Sequence, residues 1–314
     1  MVDPQVRAFL ESVAVSNVPP VETLSVREAR KLMDVSTMLL GEPPAVERVD
    51  SFDIPGPGGV IPVRLVIPAR TSEQATRLLP VLIFFHGGGW VTGSIKTHDV
   101  LCREIAARSG LPVLSVDYRL APEHPFPAAI DDAEAATLWI SEYAEGLGLD
   151  PSRIAVGGDS AGGNLAAVVA LRGRDKLRYP LAFQLLIYPI TDCDLNTPSY
   201  LENAEGYLLT RSSMAWYWDQ YVPDLEKRVD PDVSPLRALD LSGLPPALVI
   251  TAGFDPLRDE AESYAGKLRD AGVAVEHVPY PRMIHGFLRR HALFNVADDA
   301  LDRVAGSLKA ALAR

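Results

Sequence analysis

The strongest constraint on the fold is a repeated alternation of apolar runs with helix-like patterns from about residue 47 to the C-terminus. Several runs are unbroken stretches of Val, Ile, Leu and Phe, which is typical of strands buried on both faces of a sheet. Alternation of such strands with helices predicts an α/β protein with a mostly parallel, doubly wound sheet. The predicted strands are Glu47–Ile54, Ile61–Ile67, Val81–Phe85, Val113–Val116, Ile154–Gly157, Phe183–Tyr188, Ala247–Thr251 and Val273–Val278. The predicted helices are Asp99–Arg108, Ala128–Tyr143, Gly162–Arg172, Asp259–Arg269 and Ala297–Leu312.

Three segments depart from this alternation. The first two strands flank the Gly/Pro turn Pro55–Gly59, which predicts an antiparallel hairpin at one sheet edge. Residues 1–48 carry apolar positions at loose helical spacing on both sides of Pro19 and Pro20, which predicts two short amphipathic helices. The aromatic, Pro-rich segment Asp192–Pro245 is too long for an ordinary connection and should contain helices of its own. It is either a satellite helical layer or a lid beside a pocket.

Composition and charge exclude several classes of function. A 47% hydrophobic and 23% charged chain is globular, and 41 acidic against 30 basic side chains give a net charge of −11. Since phosphate binding needs a basic face, nucleic acid and anionic membranes are not expected partners. The N-terminal residues lack the apolar region of a signal peptide, and no apolar run reaches about 18 residues, so we expect a cytoplasmic protein. Cys102 and Cys193 have no metal-ligand spacing, and His98 with Cys102 does not make a zinc site, so no metal is expected.

The first chemical signal is Gly158-Asp159-Ser160-Ala161-Gly162, which lies between a predicted strand and a predicted helix. A serine at such a bend is exposed at the carboxyl edge of the sheet, and the flanking glycines let the turn close. The helix that follows directs its free N–H groups and positive dipole end at the same place. Ser160 is therefore a candidate nucleophile.

The second signal is His86-Gly87-Gly88-Gly89, directly after the strand Val81–Phe85. Consecutive glycines leave backbone N–H groups uncovered, so these groups can stabilise a developing negative oxygen during acyl transfer. A nucleotide-binding loop is excluded by the spacing, since Thr92 replaces the third glycine of the dinucleotide pattern and no lysine follows Gly93.

A serine nucleophile needs a base, and the base needs an orienting acid. Of the six histidines, His285 lies in a loop after the last predicted strand, at the carboxyl edge of the sheet. Two loops at this edge offer acids, one with Asp255 and one with Asp192 and Asp194. Asp255 is favoured because it lies one strand before His285 and precedes a proline suited to a helix start. We interpret Asp259 and Glu260 as first-turn acids of that helix.

The order Ser160, Asp255, His285 together with the triple-glycine loop is similar to the hormone-sensitive-lipase-like branch of the α/β-hydrolases, the bacterial family IV esterases. The resemblance runs from about Val49 to the C-terminus and is closest to the subgroup with Gly-Asp-Ser-Ala-Gly at the nucleophile. It also includes the stretch Tyr118–Ala129 with Asp132 downstream. In that stretch we expect Arg119 and Glu123 to form an ion pair that supports the glycine loop.

The resemblance implies an eight-stranded α/β-hydrolase fold and a serine carboxylesterase for short to medium acyl esters, with no cofactor. Residues 49–314 would be the catalytic domain, and residues 1–48 and 192–245 would form a helical cap over the pocket. The implied oxyanion donors are the backbone N–H groups of Gly87, Gly88 and Ala161. The candidate pocket residues are Trp90, Tyr207, Leu209 and Trp218.

Two other functions remain open at this point. An amidase or deacetylase would use the same triad, and a ligand-binding receptor could share the fold without catalysis. The intact His285 disfavours the receptor. A monomer or a homodimer through the last strand is expected, since a free strand edge can pair with a second copy.

Overall fold

A single mixed sheet organises the computed structural model, which describes residues 1–70, 77–176, 179 and 181–313. In this part of the chain the sheet has eight strands in the order β1-β2-β4-β3-β5-β6-β7-β8. β1 and β2 form the predicted antiparallel hairpin at one edge, and β2 is also antiparallel to β4. The remaining neighbours are parallel, as the alternation of strands and helices predicted. The strands are β1 (Arg48–Gly56), β2 (Gly59–Ile67), β3 (Leu79–Phe85), β4 (Val113–Val116), β5 (Leu149–Asp159), β6 (Phe183–Ile187), β7 (Ala247–Phe254) and β8 (Val275–Ile284).

Helices cover both faces of the sheet. The α-helices are α1 (Pro4–Val15), α2 (Val26–Ser36), α3 (Asp99–Ser109), α4 (Ala128–Tyr143), α5 (Ala161–Lys176), α6 (Pro198–Glu202), α7 (Arg211–Tyr221), α8 (Arg258–Asp270) and α9 (Asn295–Leu312). Short 3₁₀ helices are Val21–Thr23, Thr37–Leu39, Ala144–Leu147, Leu225–Val229, Pro235–Arg237 and Phe287–Arg290. Within the described residues no helix is both long and apolar enough to cross a membrane.

The core consists of two apolar layers, one on each face of the sheet. α3 and α9 pack on one face, where Val6 of α1 joins them. α4, α5 and α8 pack on the other face, together with aromatic residues of α7. Every residue of β3 is buried, which accounts for its unbroken apolar sequence.

The predicted strands and helices are confirmed, and the main differences are at strand ends. β8 continues six residues beyond the predicted end at Val278, through Pro279 and Pro281. Proline lacks the N–H that a central strand needs, which is why the sequence indicated an end there. β8 is an edge strand that pairs with β7 on one side, so it tolerates both prolines.

The two segments outside the alternation both contain helices and pack on the rest of the protein. Arg30 of α2 donates from Nε to Val91 O at 2.9 Å and from Nη2 to Ala121 O at 3.0 Å. The N-terminal segment is thereby attached to the loops that follow β3 and β4. The segment Asp192–Pro245 carries α6, α7 and two 3₁₀ helices, so the prediction that it contains helices of its own is confirmed.

The predicted ion pair between Arg119 and Glu123 is wrong. Arg119 instead pairs with Asp132 of α4, and the Nη2–Oδ1 distance is 2.7 Å. Asp132 is buried, and it also accepts from Arg119 Nε and from the Arg119 backbone N–H. Glu123 pairs with Arg30 of the N-terminal segment. On a helix, residues four apart in sequence are neighbours, but residues 119–123 do not form one.

Because Arg119 pairs with a buried carboxylate and Glu123 is exposed, mutating these two residues should lower the free energy of unfolding by different amounts. Arg119→Met leaves the buried Asp132 carboxylate without its cation and should lower the free energy of unfolding by about 3 kcal/mol. Glu123→Ala removes a solvent-exposed carboxylate and should cost less than about 1 kcal/mol. Urea unfolding of both variants beside the wild type measures the two costs, and equal costs would contradict the assignment of partners.

Candidate active site

The three residues predicted to act together each follow directly after a parallel strand. Ser160 follows β5, Asp255 follows β7, and His285 follows β8. The carboxyl ends of parallel strands lie along one edge of a sheet, so the topology brings the three side chains together there.

The turn at Ser160 is backbone-strained and tightly held. Ser160 has φ +57°, a left-handed conformation that non-glycine residues adopt only where the surrounding structure enforces it. Its N–H donates to Ile187 O at 2.9 Å, and its carbonyl accepts from Asn164 N at 3.0 Å. A Cβ at Gly162 would lie 1.9 Å from Phe85 O, so only glycine lets α5 approach β3 this closely. Both glycines of the motif are needed, since a Cβ at Gly158 would lie 2.4 Å from Gly162.

The side chains form a continuous hydrogen-bonded chain. Ser160 Oγ lies 3.0 Å from His285 Nε2, and His285 Nδ1 lies 2.7 Å from Asp255 Oδ2. Ser160 is 7% exposed and the His285 side chain 12% exposed, whereas Asp255 is fully buried. A base within hydrogen-bond reach of a hydroxyl and oriented by a carboxylate is the arrangement that activates a serine.

Of the two acidic loops, the one with Asp255 contacts His285. The second Asp255 oxygen, Oδ1, accepts from Leu257 N at 2.9 Å, so the carboxylate is held at both ends. Asp192 pairs with Arg237 at 2.5 Å, and Asp194 bonds to Asn196. Among the contacts of the described residues, neither of the alternative acids reaches His285.

Asp259 and Glu260 lie in the first turn of α8 as predicted, but their carboxylates bind other segments. Asp259 Oδ2 accepts from Ser199 N at 2.7 Å, at the start of α6. Glu260 Oε1 accepts from Thr191 N at 2.7 Å and from Asp192 N at 3.2 Å. The two acids therefore attach the segment after β6 to the helix that follows Asp255.

The prediction that the Gly87 N–H group is an oxyanion donor is wrong. This N–H donates to Asp159 Oδ1 at 2.8 Å and also lies 3.3 Å from His98 Nε2, so its one hydrogen is already engaged inside the protein. The sequence could not show this, because it gives no indication that Asp159 points back toward the loop after β3. Gly88 N and Gly89 N donate to no acceptor among the described residues.

The orientation of the two free N–H groups follows from their neighbouring carbonyls. Gly87 O lies 2.9 Å from His86 Nδ1, and Gly88 O accepts from Thr92 N at 2.9 Å and Thr92 Oγ1 at 3.0 Å. In a trans peptide the N–H points opposite to the C=O. Gly88 N–H therefore points away from His86, and Gly89 N–H away from Thr92. Gly88 and Gly89 have φ +120° and +59°, which favour glycine.

Ala161 begins α5, where a helix leaves its first N–H groups without intrahelical partners. Within the described part of the chain the Ala161 N–H has no acceptor. It lies next to Ser160 in sequence, at the positive end of the helix dipole. These features agree with the role predicted for it.

Two of the four predicted pocket residues are packed in the interior. Trp90 and Trp218 expose none of their surface. Trp90 stacks on Tyr221 with ring centroids 4.3 Å apart and meets Trp218 at 5.0 Å. The prediction that they line the pocket is wrong for this conformation, because large rings gain more by burying their faces against each other.

The other two predicted pocket residues, Tyr207 and Leu209, are half-buried. The Tyr207 ring lies 4.9 Å from that of Phe254, at the end of the strand that precedes Asp255.

Several residues at the site escaped sequence reasoning. Tyr188 packs its ring on the His285 imidazole with centroids 4.6 Å apart. Tyr217 lies against Gly89, where an added Cβ would come within 2.2 Å of the Tyr217 ring. His98 Nε2 lies 3.1 Å from Asp159 Oδ1. The free N–H of Gly89 was also missed, although Gly89 is visible in the sequence as the third glycine of the loop.

Charged and ionisable groups are buried behind the glycine loop. Burial lowers the pKa of His86 to about 4, and the nearby His98 acts in the same direction. Burial also lowers the pKa of His98. Burial alone would raise the pKa of Asp159, but His98, Arg289 and the Gly87 N–H together lower it to about 2. Asp159 is therefore ionised at neutral pH.

Comparison with known proteins gives consistent matches. A family model described as alpha/beta hydrolase fold matches residues 82–289. The carboxylic ester hydrolase LipN of Mycobacterium tuberculosis is 47% identical over 272 residues, which are 85% of this chain and 71% of that protein. The ethyl acetate hydrolase of Pseudomonas putida is 37% identical and aligns over 98% of both chains. A solved ester-hydrolase from the metagenome of Lake Arreo has a TM-score of 0.94 and 44% identity, and the match covers 99% of each chain.

The buried Glu260 predicts a pH-dependent stability. Burial raises its pKa well above the ordinary value, although the Thr191 and Asp192 N–H groups oppose the shift. Above the unfolded pKa of about 4.3 the folded protein holds a proton that the unfolded chain releases, so stability falls as pH rises toward the folded pKa.

Glu260→Gln keeps an oxygen for the two N–H groups and does not titrate. Urea unfolding of wild type and variant between about pH 4 and pH 8 should show the variant gaining relative stability with rising pH. A difference that does not change with pH would contradict the raised pKa.

Proposed function

Since the chain belongs to the α/β-hydrolases, in their hormone-sensitive-lipase-like branch (family IV), and is a carboxylic ester hydrolase, we propose that Ser160, His285 and Asp255 form its catalytic triad. The observation that carries the proposal is the unbroken chain of contacts from Ser160 Oγ through both nitrogens of His285 to Asp255. No other serine, histidine and carboxylate are joined in this way in the described part of the chain.

In the proposed reaction Ser160 Oγ attacks the ester carbonyl while His285 Nε2 accepts its proton. Asp255 accepts a hydrogen bond from the Nδ1–H of His285. This bond fixes the tautomer of His285 and stabilises the imidazolium. The tetrahedral intermediate collapses as His285 returns the proton to the leaving alcohol. Water activated by His285 then releases the acid from the acyl-enzyme.

The proposed oxyanion donors are the N–H groups of Gly88, Gly89 and Ala161. All three lack a protein acceptor among the described residues. The carbonyls of Gly87 and Gly88 bond to His86 and Thr92. The N–H groups of Gly88 and Gly89 therefore point away from these two residues. Each such donor is worth about 2.7–4 kcal/mol in the transition state.

The proposed substrates are esters with short to medium acyl chains. Two aromatic rings lie next to the triad, since Tyr188 packs on His285 and Tyr217 lies against Gly89. The similarity to an ethyl acetate hydrolase over nearly the whole chain is consistent with a small acyl group. Tyr207 and Leu209 remain the proposed pocket residues.

We further propose that residues 1–48 and 192–245 act as cap segments on a catalytic domain of residues 49–314. The N-terminal segment is attached next to the glycine loop through Arg30 and Val91. The second segment places Tyr217 directly on Gly89. Both segments therefore contact the loop that carries the oxyanion donors, which is where a cap would control access.

We also propose that the protein is a monomer or homodimer in the cytoplasm. β8 pairs on one side with β7, and its other edge could pair with a second copy to give a homodimer. Light scattering at working concentration distinguishes a monomer from a dimer. Both cysteines are free, which suits a reducing cytoplasm.

A p-nitrophenyl ester series from acetate to palmitate tests the proposed function. We expect a maximum at short or medium chains, and Ser160→Ala should lower kcat by at least about 10⁴-fold because it removes the nucleophile. Ser115→Ala, at a buried serine of β4, is the matched control and should keep full activity.

The same experiment can contradict the proposal. Undiminished turnover by Ser160→Ala would exclude Ser160 as the nucleophile. A maximum at palmitate would exclude the proposed chain length. Faster turnover of the matching anilides than of the esters would favour an amidase instead.

A further inference from the structure

Asp159 makes contacts that the proposed reaction does not use. It precedes Ser160 in the tight turn, is 3% exposed, and is ionised. Its Oδ1 accepts from Gly87 N at 2.8 Å and lies 3.1 Å from His98 Nε2. A carboxylate buried in this way is costly unless it is paired and hydrogen-bonded. Its only backbone partner among the described residues is in the loop that carries the proposed oxyanion donors.

We propose that Asp159 is a positioning residue that fixes the oxyanion loop, residues 86–92, to the turn that carries Ser160. The inference rests on the proposed function, since the loop matters for catalysis only if Gly88 and Gly89 are the donors. It assigns Asp159 a role through Gly87 and not through contact with the substrate.

The hydrogen bonds around Gly87 show how one carboxylate can orient the donors. The peptide between His86 and Gly87 is held at both ends, because Tyr118 Oη donates to His86 O at 2.7 Å and Gly87 N–H donates to Asp159. The next peptide is then set by the contact between His86 Nδ1 and Gly87 O. Its N–H is that of Gly88, which points to the opposite side. Loss of the Asp159 bond leaves the first peptide held only by Tyr118 and by a longer contact of 3.3 Å between Gly87 N and His98 Nε2, which loosens the direction of the Gly88 donor.

The Asp159 carboxylate is stabilised from two sides, by the polar contact with His98 and by the charge of Arg289. His98, in the loop before α3, supplies the close partner at Oδ1. Arg289 follows His285 by four residues, is buried, and donates to Thr97 O at 3.0 Å. Arg289 makes no ion pair with a carboxylate in the described residues, and its charge acts on Asp159 from a longer distance. The charge of Arg289 partly offsets this fixed negative charge, which lies close to the oxyanion that forms at Ser160.

An isosteric pair of variants tests the proposal. Asp159→Asn keeps an oxygen that can accept from Gly87 N–H, whereas Asp159→Leu has the same shape and no acceptor. Active sites are counted with a p-nitrophenyl phosphonate, so that kcat refers to folded enzyme. We expect Asp159→Leu to lower kcat about 100-fold with KM within about threefold, and Asp159→Asn to remain within about tenfold of wild type.

A trifluoromethyl ketone supplies a second measurement. It forms a hemiketal with Ser160 whose oxyanion occupies the proposed hole, so its Ki should weaken in Asp159→Leu by the same factor as kcat. Unchanged kcat per active site and unchanged Ki would overturn the proposal and leave Asp159 a purely structural role. Equal losses in the Asn and Leu variants would overturn the assignment to the Gly87 hydrogen bond.

Arg172→Met is the control for general destabilisation. Arg172 is paired with Asp131 of α4 and Asp232, distant from Ser160 in the fold. This variant should lower the melting temperature and leave kcat per active site unchanged. If Ser160 is not the nucleophile, the phosphonate labels Ser160→Ala as well as the wild type. That result identifies a failure of the proposed function and is distinct from a failure of the role of Asp159.

A measurement on the wild type covers the case in which Asp159→Leu does not fold. In protein labelled with ¹⁵N-glycine, the Gly87 amide should exchange with solvent at least about 100-fold more slowly than the Gly88 and Gly89 amides. The reason is that Gly87 N–H is bonded to a buried carboxylate and the other two are free. Equal exchange rates of the three amides would overturn the proposal.

Discussion

The close approach of α5 to β3 is the constraint on which the site depends. Gly162 lies so near Phe85 O that a methyl group has no room, and Gly158 is equally enclosed by Gly162. This contact forces the chain into a sharp turn in which Ser160 adopts φ +57°. The strain is compensated by hydrogen bonds to β6 and within α5. The same contact brings the end of β3, where the glycine loop begins, next to the nucleophile.

The parallel sheet then supplies the rest of the machinery. The parallel strands β5, β7 and β8 end at the same edge of the sheet. Ser160, Asp255 and His285, which follow them, therefore lie at neighbouring positions. Side chains from the flanking segments hold these groups in place. Glu260 attaches the segment after β6 to α8, and Asp255 is held by the N–H of Leu257 as well as by His285. Side chains at rigid strand ends keep the short distances that proton transfer would require.

A cluster of buried polar and charged groups lies next to Ser160. Asp159, His98 and Arg289 lie in the turn before Ser160, the loop before α3 and the turn after His285. Their interactions connect three separate loops in a region of low dielectric, where each unpaired charge is expensive. This arrangement couples the position of the nucleophile to that of the proposed oxyanion donors. It also explains why Gly87, which resembles Gly88 and Gly89 in sequence, has a different role.

The sequence by itself determined the order of strands and helices, the hairpin at the edge, and the three residues of the proposed triad. Continuous apolar runs mark strands buried on both faces, and a glycine-flanked serine between a strand and a helix has few other structural explanations. These signals are local, so they can be read along the chain. Partners distant in sequence could not be predicted in the same way. Arg119 binds Asp132 and not Glu123, and Trp90 and Trp218 stack in the interior. The Gly87 N–H is taken by a carboxylate 72 positions away. Only the tertiary structure decides such contacts, because it sets which side of each loop faces which neighbour.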